Sequence, residues 1–118
     1  MLFTESLKKN FQFRYVYNRG KSIANRFLVM YVIKNNKNIN RLGISVSKKV
    51  GKSVVRSRVT RLVRESYRLK ENQFKKGYDI VIIARVNSNT AEYNDISKAF
   101  YSLAKKHNLF IEKNDIEK

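Results

Sequence analysis

Cysteine is absent from this chain. That removes disulfides, thiolate zinc sites and a cysteine nucleophile together, and it suits a cytoplasmic setting. Histidine occurs once, as His107. A two-histidine metal site or a paired-histidine nuclease centre is therefore excluded, and among neighbouring lysines His107 reads as an exposed surface residue. Proline and tryptophan are also missing. Without proline there is no stiff linker, and no Gly/Ser-rich hinge or internal repeat divides the sequence. One domain over 1–118 is expected, closing in a short charged tail over about 112–118.

Long apolar runs are lacking as well. No stretch approaches the roughly 20 residues that a membrane-spanning helix needs. The segment from Met1 to Lys9 has no apolar centre of the kind a signal peptide carries. Acidic residues are scarce: 9 Asp and Glu stand against 26 Lys and Arg, for a formal charge of +17. Such a surplus repels itself, so a polyanionic partner is the simplest explanation. Nucleic acid is the expected partner. Attachment to an anionic membrane is the weaker candidate, and it predicts lipid binding that survives RNase treatment. With 42% hydrophobic residues the chain builds a core and is not a disordered basic tail.

The pattern along the chain is that of an α/β domain with one small sheet. A helix is expected from about Ser6 to Arg19, with Gly20 as its stop. Residues Phe27 to Ile33 form an apolar, β-rich run. Asn35-Asn36-Lys37-Asn38 marks a turn. From Arg41 to Ser47 the residues alternate, with Leu42, Ile44 and Val46 on one side and Gly43, Ser45 and Ser47 on the other. A basic loop, Lys48-Lys49-Val50-Gly51-Lys52, leads to a helix over Val54 to about Lys70, for which Ser53 is the expected cap. Tyr78 to Ala84 is a second buried strand. Asn87 to Thr90 is a turn. A last helix from Glu92 to about His107 carries Ile96, Phe100 and Leu103 on one stripe.

The helix after the basic loop is strongly two-sided. At roughly 100° per residue, Val55, Val59, Leu62, Val63, Ser66 and Leu69 gather on one side. Ser57, Arg61, Arg64 and Arg68 gather opposite, with Arg56 and Arg58 at the edges of the apolar stripe. Arginine presents a planar fork of donors matched to phosphate oxygens, and it stacks on bases. A merely solvated face usually mixes signs, because i,i+4 pairs support the helix. Here only Glu65 and Glu71 offer relief, which favours phosphate contact. Neither helix-turn-helix nor zinc-finger spacing is visible, and this weakens a DNA reading.

Aromatic residues make a second pattern. Phe11 pairs with Tyr15 and Phe13 with Tyr17 at i,i+4, on roughly opposite sides of the first helix. One pair is expected to enter the core and the other to stay more exposed. Phe27, Val29 and Tyr31 share one face of their strand. If the strands pair, Tyr31 lies on the same side as Gly43 and Ser45. Small residues beside an aromatic make a shallow groove, of the kind in which single-stranded nucleic acid stacks its bases. Carboxylates form no convergent set. Asp79 leads into a strand, Asp95 sits near a helix start, and Glu65 is surrounded by arginines. A protein nuclease reading is accordingly poor, since it needs a general base, a metal cluster or paired carboxylates. A structural RNA-binding protein, such as a ribosomal protein, remains the alternative.

Taken in order, these pieces resemble the protein component of bacterial ribonuclease P. They are Phe13, Val16 and Tyr17; Ala24-Asn25-Arg26; Leu42-Gly43-Ile44-Ser45-Val46-Ser47-Lys48-Lys49-Val50-Gly51; Val55-Arg56-Ser57-Arg58-Val59-Thr60-Arg61-Leu62-Val63-Arg64-Glu65; and Tyr78 to Ala84 followed by Arg85. The resemblance runs from about Leu7 to about Leu103. It implies an α/β (α+β) two-layer sandwich in the order αβββαβα, like the second domain of a small-subunit ribosomal protein, with a left-handed βαβ crossover. Right-handed crossovers being the strong default, the sequence itself does not suggest this. The implied function is a ribonucleoprotein subunit acting in tRNA 5′ maturation. It binds the catalytic RNA, one protein per RNA, and precursor tRNA, while the RNA carries catalysis with Mg²⁺. The implied leader-binding cleft holds Phe13, Tyr17 and Tyr31. The implied RNA surface holds Lys48, Lys49, Lys52, Arg56, Ser57, Arg58, Arg61, Arg64 and Arg68. Ser57 is a departure: the family usually has Asn between the two arginines, and a short hydroxyl replaces an amide that both donates and accepts.

Overall fold

The computed structural model describes residues 4–112. Apart from Glu112, the expected charged tail lies outside the described residues. Strand β1 (Thr4–Ser6) is followed by helix α1 (Asn10–Arg19), strands β2 (Lys21–Ala24), β3 (Leu28–Lys34) and β4 (Asn40–Ser45), helix α2 (Ser53–Leu69), strand β5 (Tyr78–Ala84) and helix α3 (Tyr93–Lys106). Short 3-10 turns at Glu71–Gln73 and Val86–Thr90 complete the connections.

The five strands form one mixed sheet in the order β1-β4-β5-β3-β2. β1 runs parallel to β4 and β4 parallel to β5, whereas β5–β3 and β3–β2 are antiparallel. β4 and β5 are the two strands of a βαβ unit whose crossover is α2. The helices α2 and α3 pack on one sheet face against Leu28, Met30, Val32, Ile80 and Ile82, forming the two-layer sandwich. Helix α1 lies alone on the other face, where Val16 and Leu7 meet Val81. Strand alternation makes this division: each strand sends odd and even residues to opposite faces. On β3 the burial alternates strictly, with Leu28, Met30 and Val32 buried and Val29, Tyr31 and Ile33 half-buried.

The N-terminus differs from expectation. Helix α1 starts at Asn10, not at about Ser6, because the preceding residues extend along the edge of β4. The Gln12 side-chain oxygen accepts hydrogen bonds from the Lys8 and Lys9 amides, both at 3.0 Å, which closes the first turn and stops the helix from running back. Thr4 anchors β1 through its hydroxyl, 2.6 Å from the Tyr67 hydroxyl and 2.5 Å from a Glu71 carboxylate oxygen to which it donates. Gly20 does end α1, but its backbone is extended (φ −78°) and not left-handed. Glycine is needed there for room: a Cβ would sit 2.5 Å from the Val16 carbonyl oxygen.

Helix α2 also corrects two expectations. Ser53 is its first residue and not its cap; Lys52 holds the cap position, and the Arg56 amide bonds the Lys52 carbonyl. Leu69 is 53% exposed, while Tyr67 is fully buried. The chain turns at the helix end, so Tyr67, Glu71 and Phe74 go inward instead. Tyr67 tolerates burial because Asn40 Nδ2 donates to its hydroxyl at 3.2 Å. His107 departs furthest. It is half-buried at the end of α3, and its Nε2 donates to the Met30 carbonyl at 2.9 Å.

Candidate nucleic-acid interface

The open side of the sheet positions the aromatic residues. Along neighbouring strands, Tyr31 pairs with Val81 and Val81 with Gly43, so the three stand in one row across β3, β5 and β4. Tyr31 therefore shares a face with Gly43 and Ser45 as expected, although β5 lies between their strands. Helix α1 crosses this row. Phe13 rests on Gly43, Tyr17 packs edge-on to Tyr31 with centroids 5.1 Å apart, and Phe13 and Tyr17 lie 6.3 Å apart. The pair Phe13–Tyr17 is the half-buried one, and Phe11–Tyr15 is the exposed one. Phe13, Tyr17, Ile44 and Ser45 line a hollow with Asn10 and Arg14 at its rim. Burial pushes the Tyr17 hydroxyl above its usual pKa, partly offset by a hydrogen bond with Ser45.

The arginine helix takes the other side of β4. Past Leu42, β1 no longer pairs with β4. The free end of β4 carries Ile44, which borders the aromatic hollow and also a second groove against α2. That second groove is lined by Arg56, Ser57, Thr60, Arg61 and Arg64. A third groove on the far flank holds Arg58, Arg61, Arg64, Arg68 and Tyr93. The row of Arg61 and Arg64 is the ridge between them, and Ser57, Arg61, Arg64 and Arg68 are all exposed.

The five arginines differ in how free they are. Arg56 Nε donates to the Gly51 carbonyl at 3.2 Å, and Arg58 Nη2 to the Ala91 carbonyl at 2.7 Å. These two brace the N-terminal half of the helix against neighbouring loops. Arg68 is held by both carboxylate oxygens of Glu65, at 2.9 and 2.5 Å, and this pairing keeps the Glu65 carboxyl below its usual pKa. Arg61 and Arg64 make no such bond with the described residues. Lys48 and Lys49 stand exposed on the turn between β4 and α2, which Val50 pins to the core, and Lys52 is exposed at the helix start.

Sequence reasoning missed Arg14 as a cation at the rim of the aromatic hollow, and Tyr93 beside Arg58 and Arg68. The spacing of Arg14, four residues after Asn10 and three before Tyr17, was a usable signal for the first; Tyr93 arrives from α3, with none. The Ala24-Asn25-Arg26 segment proves to be a turn lock. Asn25 Oδ1 accepts from the Phe27 and Leu28 amides at 3.2 and 3.1 Å, and Nδ2 donates to the Ala99 carbonyl at 3.0 Å.

The sequence profile of the Ribonuclease P family matches residues 1–108. The chain belongs to the ribonuclease P protein family. A relative from Clostridium botulinum (strain Langeland), the ribonuclease P protein component, is 58% identical over 105 residues, covering 88% of this chain and 95% of its own. The same component of Clostridioides difficile (strain 630) is 51% identical over 109 residues, with 92% and 96% covered. Among solved structures, the RNase P protein of Staphylococcus aureus superposes with a TM-score of 0.84 at 34% identity, covering 90% of this chain and 97% of that one. The RNase P protein of Thermotoga maritima gives 0.79 at 31% identity, with 92% and 98% covered. The fold is therefore shared with these proteins across nearly the whole chain.

Proposed function

We propose that this chain serves as the protein subunit of the ribonuclease P ribonucleoprotein in tRNA 5′ maturation, associating one-to-one with the catalytic RNA and receiving precursor tRNA. The observation that carries the proposal is the placement of two chemistries on either side of one free strand end. The aromatic hollow of Phe13 and Tyr17, with Tyr31 packed edge-on behind Tyr17, suits stacked bases of a single-stranded leader. The ridge of Arg61 and Arg64, extended by Lys48, Lys49 and Lys52, suits RNA phosphates. Ile44 borders both, so a leader in the hollow lies beside RNA gripped by α2. Family membership disfavours a ribosomal-protein role.

In this reading the RNA carries catalysis and holds Mg²⁺. Among the described residues no three His, Asp or Glu side chains gather as a metal-ligating set. The carboxylates near the interface already have partners: Asp79 on Arg41, Glu65 on Arg68, and Asp95 on the Glu92 amide. The protein supplies positioning and charge, and alone it does not cleave RNA. Ser57 is exposed between Arg56 and Arg58, where a hydroxyl reaches less far than the family's usual amide. The test is reconstitution at low Mg²⁺ with a bacterial ribonuclease P RNA and a 5′-labelled precursor tRNA. Stimulated cleavage at the correct site supports the role; tight, salt-sensitive binding with no stimulation rejects it. Metal-dependent cleavage by the purified protein, lost on changing one carboxylate, overturns the assignment of catalysis to RNA.

A further inference from the structure

Helix α1 divides the open sheet face into two hollows, and only one is accounted for above. The row Val81–Gly43–Tyr31 lies beneath the helix. Two residues along the strands, Ser45 floors the aromatic hollow; two residues the other way, Asp79 and Arg41 floor another. This second hollow is lined by Phe11 and Tyr15 from α1 and by Lys34, Asn35 and Arg41 from the sheet. The two floors are four residues apart along each strand, about 13 Å.

Phe11 and Tyr15 are 64% and 49% exposed, among the few large hydrophobic side chains left open. They stand one helical turn apart on the same slope. A cation accompanies each ring: Lys9 Nζ lies 5.9 Å from the Phe11 centroid and the Arg19 guanidinium 5.4 Å from that of Tyr15. Lys34 adds a third from the sheet side. The only acid lining this hollow is Asp79, and it is spent. Arg41 binds both its oxygens at 2.7 and 2.5 Å, and Asn35 Nδ2 donates at 2.9 Å.

From this arrangement we infer that Phe11 and Tyr15 form a second stacking platform, taking upstream nucleotides of the same single-stranded leader that fills the first hollow. The inference rests on the ribonuclease P reading above. Bonded as they are, the floor groups of Asn35, Arg41 and Asp79 have little left to read base edges. The ligand is therefore recognised by its π faces and phosphates, without sequence preference. An apolar protein partner fits poorly, because stable protein interfaces bury about 800 Å² per partner and deplete charge at their centre. Here two rings sit within a ring of cations. The leader is the chosen occupant because the first hollow lies just across α1, a span that a few nucleotides of extended strand cover.

The test measures affinity of the reconstituted holoenzyme for precursor tRNAs whose leaders are lengthened one nucleotide at a time. The wild type is expected to gain affinity in two steps. Tyr31→Ala removes the first step. The double variant Phe11→Ala/Tyr15→Ala removes the second, on the order of tenfold, and leaves short leaders unaffected; Tyr15→Phe, which keeps the ring, retains it. A double variant that matches wild type at every leader length overturns the platform. So does one that weakens binding to the catalytic RNA whatever the leader, since the occupant is then that RNA. A wild-type holoenzyme with no leader dependence at all removes the underlying reading too, and is thereby distinguished from failure of the platform alone.

Discussion

Phe13 approaches Gly43 so closely that a single added carbon has no place: a Cβ on Gly43 would stand 2.7 Å from the Phe13 ring and 3.2 Å from Leu7. The missing side chain on β4 is what lets α1 approach the sheet and form its aromatic hollow. Gly43→Ala is expected to destabilise the fold by about 1–3 kcal/mol, the usual cost of overpacking. Denaturant unfolding measures it. Adding Phe13→Ala to the same chain should recover much of the loss. A double variant no more stable than the sum of the two single effects would show that the two residues are not coupled.

Arg61 and Arg64 are the two arginines on α2 whose forks are not engaged by the described residues. Replacing either with Ala should weaken RNA binding broadly and reduce the slope of log affinity against log salt by about 0.7–0.9 per lost phosphate contact. Arg68→Ala should change the slope less, because its fork already grips Glu65. A salt titration of catalytic-RNA binding decides both; a larger change for Arg68 than for Arg64 reverses the ranking.

Tyr31 stands behind the aromatic hollow, edge-on to Tyr17, on the sheet face away from α2. Tyr31→Ala is expected to cost about 1–3 kcal/mol in binding a precursor tRNA with its leader. Leaderless mature tRNA should bind almost as before. Equal losses for the two RNAs would reject the assignment of the hollow.

His107 makes stability depend on pH. Its partial burial, reinforced by Lys21 nearby and opposed by the bond to the Met30 carbonyl, holds its pKa below the usual 6.5. As pH falls below about 6.5 the unfolded chain takes up this proton first. The contribution is therefore complete above that pH and is lost as pH falls through the lower folded-state value. Melting temperatures measured from pH 7.5 down to 5 should drop more steeply for the wild type than for His107→Gln. Parallel curves would mean that other groups carry the dependence.

Much of this was legible in order and type of element. Period-two alternation from Arg41 to Ser47 placed Leu42 and Ile44 on one face and Gly43 and Ser45 on the other, because a pleated strand leaves no choice. The 3.6-residue period of α2 separated Val59 and Val63, both fully buried, from exposed Arg61 and Arg64. Strand β1 was not legible. Its three residues carry no alternation of their own and become a strand only because the edge of β4 and the hydroxyl of Tyr67 receive them.

Composition and spacing alone determined the strong positive charge, the absence of thiol and paired-histidine chemistry, the arginine face of α2, and the two opposed aromatic pairs of α1. These follow from counts and from fixed helix and strand periods. Only the tertiary structure decided which aromatic pair was half-buried against the sheet, that Tyr31 reaches Gly43 through an intervening strand, that Arg58 donates to the Ala91 carbonyl, and that His107 bonds the Met30 carbonyl of β3. Each of those depends on the strand order β1-β4-β5-β3-β2, which brings together residues tens of positions apart, and local periodicity carries no information at that separation.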